Sequence, residues 1–195
     1  METMEALILT EGGLQQGLGH VIRCGAFCDF FQEKRIQPHL CVRCKDSVNV
    51  FDENLFCRIV DWHKPDAWLA GKIAAADVVV IDSYTADFAD YNRIAQDARL
   101  VVYIDDTNRL EYPKGIIANF SMYADEIFSR RNPVNAYLLG NQYVPLRKVF
   151  LTVANYKRKV KIPEKIFIAF GGSDPQNLTV GVLKLLKKDK YRHLA

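Results

Sequence analysis

His20 sits in the run Gly17-Leu18-Gly19-His20-Val21-Ile22-Arg23-Cys24, and imidazole is the side chain whose ordinary pKa lets it take up or release a proton near neutral pH. Upstream lies the strand-like Ala6-Leu7-Ile8-Leu9-Thr10; downstream, apolar residues at Val21, Cys24, Cys28 and Phe31 recur with helical spacing. The glycines therefore occupy a strand-to-helix turn, and His20 falls at a helix N-terminus. The partial positive charge of unpaired amides there disfavours the imidazolium, so the sequence predicts a lowered pKa and a neutral ring. Such a ring suits a general base beside an anionic ligand. The same position also fits a capping or packing histidine after an ordinary glycine turn.

Acids and amides fall at comparable places. Val78-Val79-Val80-Ile81 runs into Asp82-Ser83-Tyr84, Val101-Val102-Tyr103-Ile104 into Asp105-Asp106, and Ile116-Ile117-Ala118 into Asn119. Each sits at the carboxyl end of a predicted parallel strand, the edge over which open α/β sheets bind ligands. Taken singly, each also reads as a helix cap or turn former. No metal site is expected from Asp105-Asp106, because adjacent residues on a strand point to opposite faces and seldom ligate one ion together.

Positioning these residues requires a layered frame. Strand candidates recur at 6–10, 39–42, 58–60, 78–81, 100–104 and 116–118, with amphipathic stretches between most of them. Short β-branched runs alternating with helical segments predict a Rossmann-like α/β fold, a mainly parallel sheet with helices on both faces.

The chain has 195 residues, 49% of them apolar, which is ample for a packed core. A net charge of +3 with 25% charged residues does not argue for a nucleic-acid partner. No stretch reaches the roughly 18 to 20 apolar residues of a membrane span, and no long apolar leader opens the chain, so the expected location is cytoplasmic. Five cysteines, at 24, 28, 41, 44 and 57, are an odd number and read as reduced thiols. Cys41-Val42-Arg43-Cys44 is formally a CxxC, yet no second pair follows at zinc spacing and Cys41 ends a strand-like run rather than opening a helix.

Near residue 150 the composition shifts. Residues 1–153 read as one domain carrying His20, and the basic, proline-ended 154–164 reads as a linker. Residues 165–195 read as the start of an incomplete second domain, with 165–170 as a buried strand, Gly171-Gly172-Ser173-Asp174-Pro175 as a turn, and a helix from Thr179. A glycine pair allows close backbone approach to a ligand, and amides at the following helix end can receive phosphate oxygens.

Taken in order, Gly17 to Cys24, Ile81-Asp82-Ser83-Tyr84, Ile104-Asp105-Asp106, Leu139-Gly140-Asn141-Gln142-Tyr143-Val144-Pro145-Leu146-Arg147 and Gly171 to Asn177 resemble the UDP-sugar hydrolases of pseudaminic acid biosynthesis. That family releases UDP from UDP-2,4-diacetamido-2,4,6-trideoxy-β-L-altropyranose and is similar to the two-domain GT-B architecture, with its active site between domains. The resemblance implies His20 as the catalytic residue that activates water. It implies that Gly17, Gly19, Asp82, Tyr84, Asp106 and Asn119 line the substrate, that Gly171, Gly172 and Ser173 lie near the diphosphate, and that Tyr143 and Arg147 belong to the site in an unassigned role. It implies a UDP-sugar as partner and no cofactor.

Elementary chemistry points the same way. Cleavage at an anomeric carbon passes through an oxocarbenium-like state, and a diphosphate is already a good leaving group, so a base on water and fixed dipoles on the phosphates are what remains necessary. Single attack by water gives inversion. Two other readings share the fold: a glycosyltransferase, distinguished by its need for an acceptor, and a non-catalytic sugar-nucleotide-binding fragment. A dinucleotide enzyme fits less well, since Ile22 stands where the third glycine of GxGxxG belongs.

Overall fold

A computed structural model of the chain describes residues 3–13, 17–44, 57–64, 66–153, 166–171, 174 and 176–187. Its strands are β1 (Glu5–Glu11), β2 (Gln37–Arg43), β3 (Cys57–Ile59), β4 (Val78–Asp82), β5 (Val101–Ile104), β6 (Ile116–Asn119) and β7 (Ala136–Leu139). The helices are α1 (Gly19–Glu33), α2 (Ala67–Ala75), α3 (Phe88–Asp97), α4 (Ala124–Ile127), α5 (Lys148–Val153) and α6 (Leu178–Leu186). The strands form one seven-stranded sheet in the order β3-β2-β1-β4-β5-β6-β7. Every pairing is parallel, so the Rossmann-like α/β architecture expected from the sequence is present.

Alternation along the strands sorts the core into two layers. Leu7, Leu9, Val79 and Ile81 face one side, where Leu69 and Ile73 of α2 and Tyr91 and Ile94 of α3 cover them. Ile8, Val80, Leu40 and Val42 face the other, beneath Val21, Cys24 and Cys28 of α1. With both faces buried, the strands have to be nearly continuous apolar runs, and this is why they stand out in the sequence. Helix starts follow local chemistry: Asp66 caps α2 through Leu69 N, and Asp87 with Asp90 forms a reciprocal capping box at α3.

The chain leaves β1 toward β2 on one side, whereas β4 returns to the other side of β1. This reversal is a topological switch point, the place where open parallel sheets form a ligand crevice at the carboxyl ends of their strands, here β1 and β4. Thr10 pairs with Asp82 across it.

Two elements differ from the sequence reading. β7 is a short, half-exposed edge strand that the apolar pattern does not reveal. Residues 166–170 form no strand, and Phe167 is 91% exposed. Among the described residues no strand lies beside this segment, and without a ladder partner an apolar run cannot become one. The linker expected at 154–164, like Gly172 and Ser173, lies outside the described residues.

Candidate active site at the switch point

The turn leading into α1 is built by glycine. Gly13 and Gly17 exchange backbone hydrogen bonds at 3.1 and 2.8 Å, and Gly17 holds φ +81°, a conformation other residues adopt only with strain. The turn delivers Gly19 and His20 as the first residues of α1, whose N-cap Leu18 supplies no side-chain cap.

Asp82 ends β4 with no exposed surface and is the hub of the site. Its Oδ1 lies 2.7 Å from Nδ1 of His20 and accepts a 2.7 Å hydrogen bond from Nη2 of Arg23. Its Oδ2 accepts from Nε of Arg23 at 2.8 Å. A carboxylate only accepts, so Nδ1 of His20 carries the proton and Nε2 of the neutral ring keeps its lone pair. Among the described residues no hydrogen bond uses Nε2, and 14% of the side-chain surface is open.

Arg23 extends the network. Its Nη1 donates to both oxygens of Asp106, at 2.9 and 3.0 Å, so one guanidinium ties the ends of β4 and β5 together. Tyr84 donates its hydroxyl to Asp106 Oδ2 at 2.8 Å and sets its ring edge-on to His20, centroids 4.5 Å apart. Arg23 occupies the position one helical turn after His20 on the same face of α1. That spacing was the available signal for it, but an arginine reveals its function only once its acids are located in space.

The electrostatics reverse the expectation for His20. Burial is the largest influence and pulls its pKa down, yet the hydrogen bond and charge of Asp82 together outweigh it, and the pKa is raised above 6.5. The shift is opposite to that expected from the helix end because a carboxylate in direct contact acts more strongly than the partial charges of a first turn. Burial likewise works against ionisation of Asp106, but Arg23 overrides it and lowers the pKa. Burial first, and then donation to Asp106, pushes Tyr84 up to about 12.

His20, Asp82, Tyr84 and Asp106 thus converge. Other sequence candidates do not join them. Asn119 is fully buried: it donates to Asp105 O and accepts from Ser121 N, both at 2.8 Å. Its amide is consumed in shaping the loops after β5 and β6, so it does not line a cleft. Asp105 turns the other way from Asp106 and accepts from Thr107 N, Arg109 N and the Tyr112 hydroxyl. Tyr143 lies in a 3-10 turn at Asn141–Tyr143, and the guanidinium of Arg147 packs over Phe150 at 5.1 Å. Among the described residues neither is bonded to the His20 cluster.

The expected phosphate contact at the second glycine turn is also altered. Gly171 has φ +74°, but the first amides of α6 are taken by Asp174, whose carboxylate accepts from Leu178 N at 2.9 Å and Thr179 N at 3.0 Å. A carboxylate on these donors competes directly with a phosphate for the same place.

No protein-family model matches the chain. An uncharacterized protein of Methanocaldococcus jannaschii is 27% identical to it over 197 residues, covering 96% of this chain and 41% of that protein. A Helicobacter pylori protein named pseudaminic acid cytidylyltransferase and UDP-2,4-diacetamido-2,4,6-trideoxy-beta-L-altropyranose hydrolase is 25% identical over 195 residues, covering 98% of this chain and 34% of that protein. The chain is similar to both. It spans less than half the length of either relative.

Proposed function

We propose that this chain carries the catalytic base of a hydrolase that splits a UDP-linked diacetamido-trideoxy hexose at its anomeric carbon, releasing UDP and the free sugar with inversion. The observation that carries the reading is the Asp82–His20 pair, held at 2.7 Å at the switch point with Nε2 unbonded among the described residues. Nε2 takes a proton from water as the water oxygen bonds to the anomeric carbon. The bond from that carbon to the phosphate oxygen breaks, and its electron pair leaves with UDP. Asp82 fixes the tautomer and stabilises the imidazolium, as a carboxylate does for histidine in hydrolytic triads. Uncapped amides in the first turn of α1 offer dipoles to the diphosphate.

Similarity to the Helicobacter pylori protein supports the substrate class. Its name carries a second activity, cytidylyl transfer, and the geometry favours the hydrolase. Transfer at phosphorus needs positive charge around the phosphoryl oxygens. Here two carboxylates, Asp82 and Asp106, share one guanidinium beside His20.

The decisive experiment replaces His20 with Asn and measures hydrolysis of the UDP-sugar. Turnover falls by about 10² to 10⁴ with substrate binding retained; near-normal turnover discards the role. Reaction in ¹⁸O-water places the label on the sugar, whereas label in UDP means attack at phosphorus and overturns the reading.

A further inference from the structure

Glu11, the last residue of β1, is 2% exposed. Among the described residues it forms no ion pair, and a buried carboxylate without a counter-charge is costly unless hydrogen bonds replace its water. Among the described residues, all of its donors come from one loop. Oε1 accepts from Tyr84 N at 2.7 Å and Thr85 N at 3.1 Å. Oε2 accepts from the Ser83 hydroxyl at 2.8 Å and from the Thr85 hydroxyl. Ser83 Oγ in turn accepts from Thr85 N and Ala86 N, and its carbonyl receives the Tyr91 hydroxyl and Arg109 Nη2 at 3.3 Å each. The backbone around Tyr84 is therefore held on both sides, while the Tyr84 ring, 49% exposed, reaches outward to Asp106 and His20.

We propose that Glu11 is a positioning residue of the hydrolytic site. Its carboxylate gathers the donors of Ser83, Tyr84 and Thr85 and so fixes the phenol of Tyr84 against His20 and Asp106. The inference rests on the reading of His20 as the base. A loop held only by packing would have no use for a buried acid at this position. A single acceptor-only group meeting two amides and two hydroxyls also sets the direction of each donor, and that direction orients the ring. The charge has a second effect. The groups facing His20 are Asp82 at the end of β4, Arg23 on its own helix, Asp106 after β5, the Tyr84 ring, and Glu11, whose charge adds to that of Asp82 in raising the imidazole pKa.

The test compares Glu11→Ala with Glu11→Gln. The glutamine carbonyl can still accept from the two amides, and its NH₂ can donate to the two hydroxyls once they rotate, so it restores the loop without the charge. Glu11→Ala speeds hydrogen exchange at the Tyr84 and Thr85 amides by about tenfold or more and lowers kcat about ten- to a hundredfold, with KM within about threefold. Glu11→Gln recovers most of both, and in both variants the NMR titration of His20 moves to lower pH. A purely structural role would lower Tm in Glu11→Ala and leave kcat in place at temperatures where the variant is folded; the shift of the His20 titration reports the lost charge and accompanies either role. Unchanged exchange in Glu11→Ala, or a Gln variant as damaged as the Ala variant, overturns the proposal. Should Glu11→Ala not fold, Thr85→Val combined with Ser83→Ala removes the two hydroxyl donors and must loosen the same amides. If the wild-type protein hydrolyses no UDP-sugar, amide exchange in Glu11→Ala and its recovery in Glu11→Gln still decide for or against Glu11 as the anchor of the Tyr84 loop, and the failure belongs to the proposed reaction.

Discussion

Arg23 and Asp82 meet in parallel, Nε to Oδ2 at 2.8 Å and Nη2 to Oδ1 at 2.7 Å, and the oxygen that faces Nη2 is the one His20 uses. The guanidinium therefore tempers the same carboxylate that polarises the imidazole. Arg23 acts on His20 in the lowering direction and Asp82 in the raising one. The protonation of His20 is set by the balance between burial and these two neighbours.

Asp82→Asn tests the tautomer. The amide can present NH₂ to Nδ1, which moves the ring proton to Nε2 and leaves no lone pair for water. Turnover should fall by about 10² to 10⁴, comparable with the loss of His20 itself. Nitrogen chemical shifts of the His20 ring check the cause directly: a ring still protonated at Nδ1 in the variant would contradict it.

The raised pKa of His20 fixes a pH signature. Burial lowers the pKa and the Asp82 contacts more than reverse this, so the acidic limb of kcat/KM should lie above pH 6.5. The stability linkage follows from the same sign. A folded-state pKa above the unfolded value of 6.5 means that the Asp82–His20 pair contributes fully below 6.5 and loses its contribution as pH rises through the folded-state pKa. Asp106 behaves oppositely: its lowered pKa contributes stability above 3.8 that is lost as pH falls through the folded-state value. Denaturant unfolding across pH, with Asp106→Asn as control, reads both.

Much of this frame is legible in the sequence because β1, β4 and β5 are buried on both faces and must be written in Val, Ile and Leu. β7 escapes notice because an edge strand of the composition Ala-Tyr-Leu-Leu needs only half a face. The run at 166–170 misleads in the other direction, since hydrophobicity does not provide a neighbour to pair with. His20, Asp82 and Asp106 stand at strand and helix ends, where topology brings chemistry together. The sign of the His20 shift and the part played by Arg23 depend on contacts 62 and 83 residues apart, which no local pattern encodes.

The carboxylates of Asp82 and Asp106 are engaged by Arg23, His20 and Tyr84. A divalent ion would have to compete with the positive charge of the guanidinium that already holds both acids. The proposed hydrolysis is therefore expected to persist in EDTA, with no gain on adding magnesium. Loss with EDTA and restoration by magnesium would show that the acids serve a metal instead.

The joint between β1 and α1 leaves no room for a side chain at Gly12. A Cβ added to Gly12 would stand 2.5 Å from Cγ2 of Val21 and 3.2 Å from the carbonyl oxygen of Gly17. Val21 is β-branched and buried at 3% exposure, so its methyl cannot swing aside cheaply. Gly12→Ala should therefore cost about 1 to 3 kcal/mol by overpacking and shift α1 outward, carrying His20 away from Asp82. Removing the obstructing methyls separates sterics from backbone effects: the double variant Gly12→Ala with Val21→Ala should be less damaged than the sum of its single changes. A double-mutant cycle from urea unfolding measures that coupling. Strict additivity would mean that Gly12 is required for the 3.2 Å approach of the Gly17 carbonyl rather than for the helix packed against it.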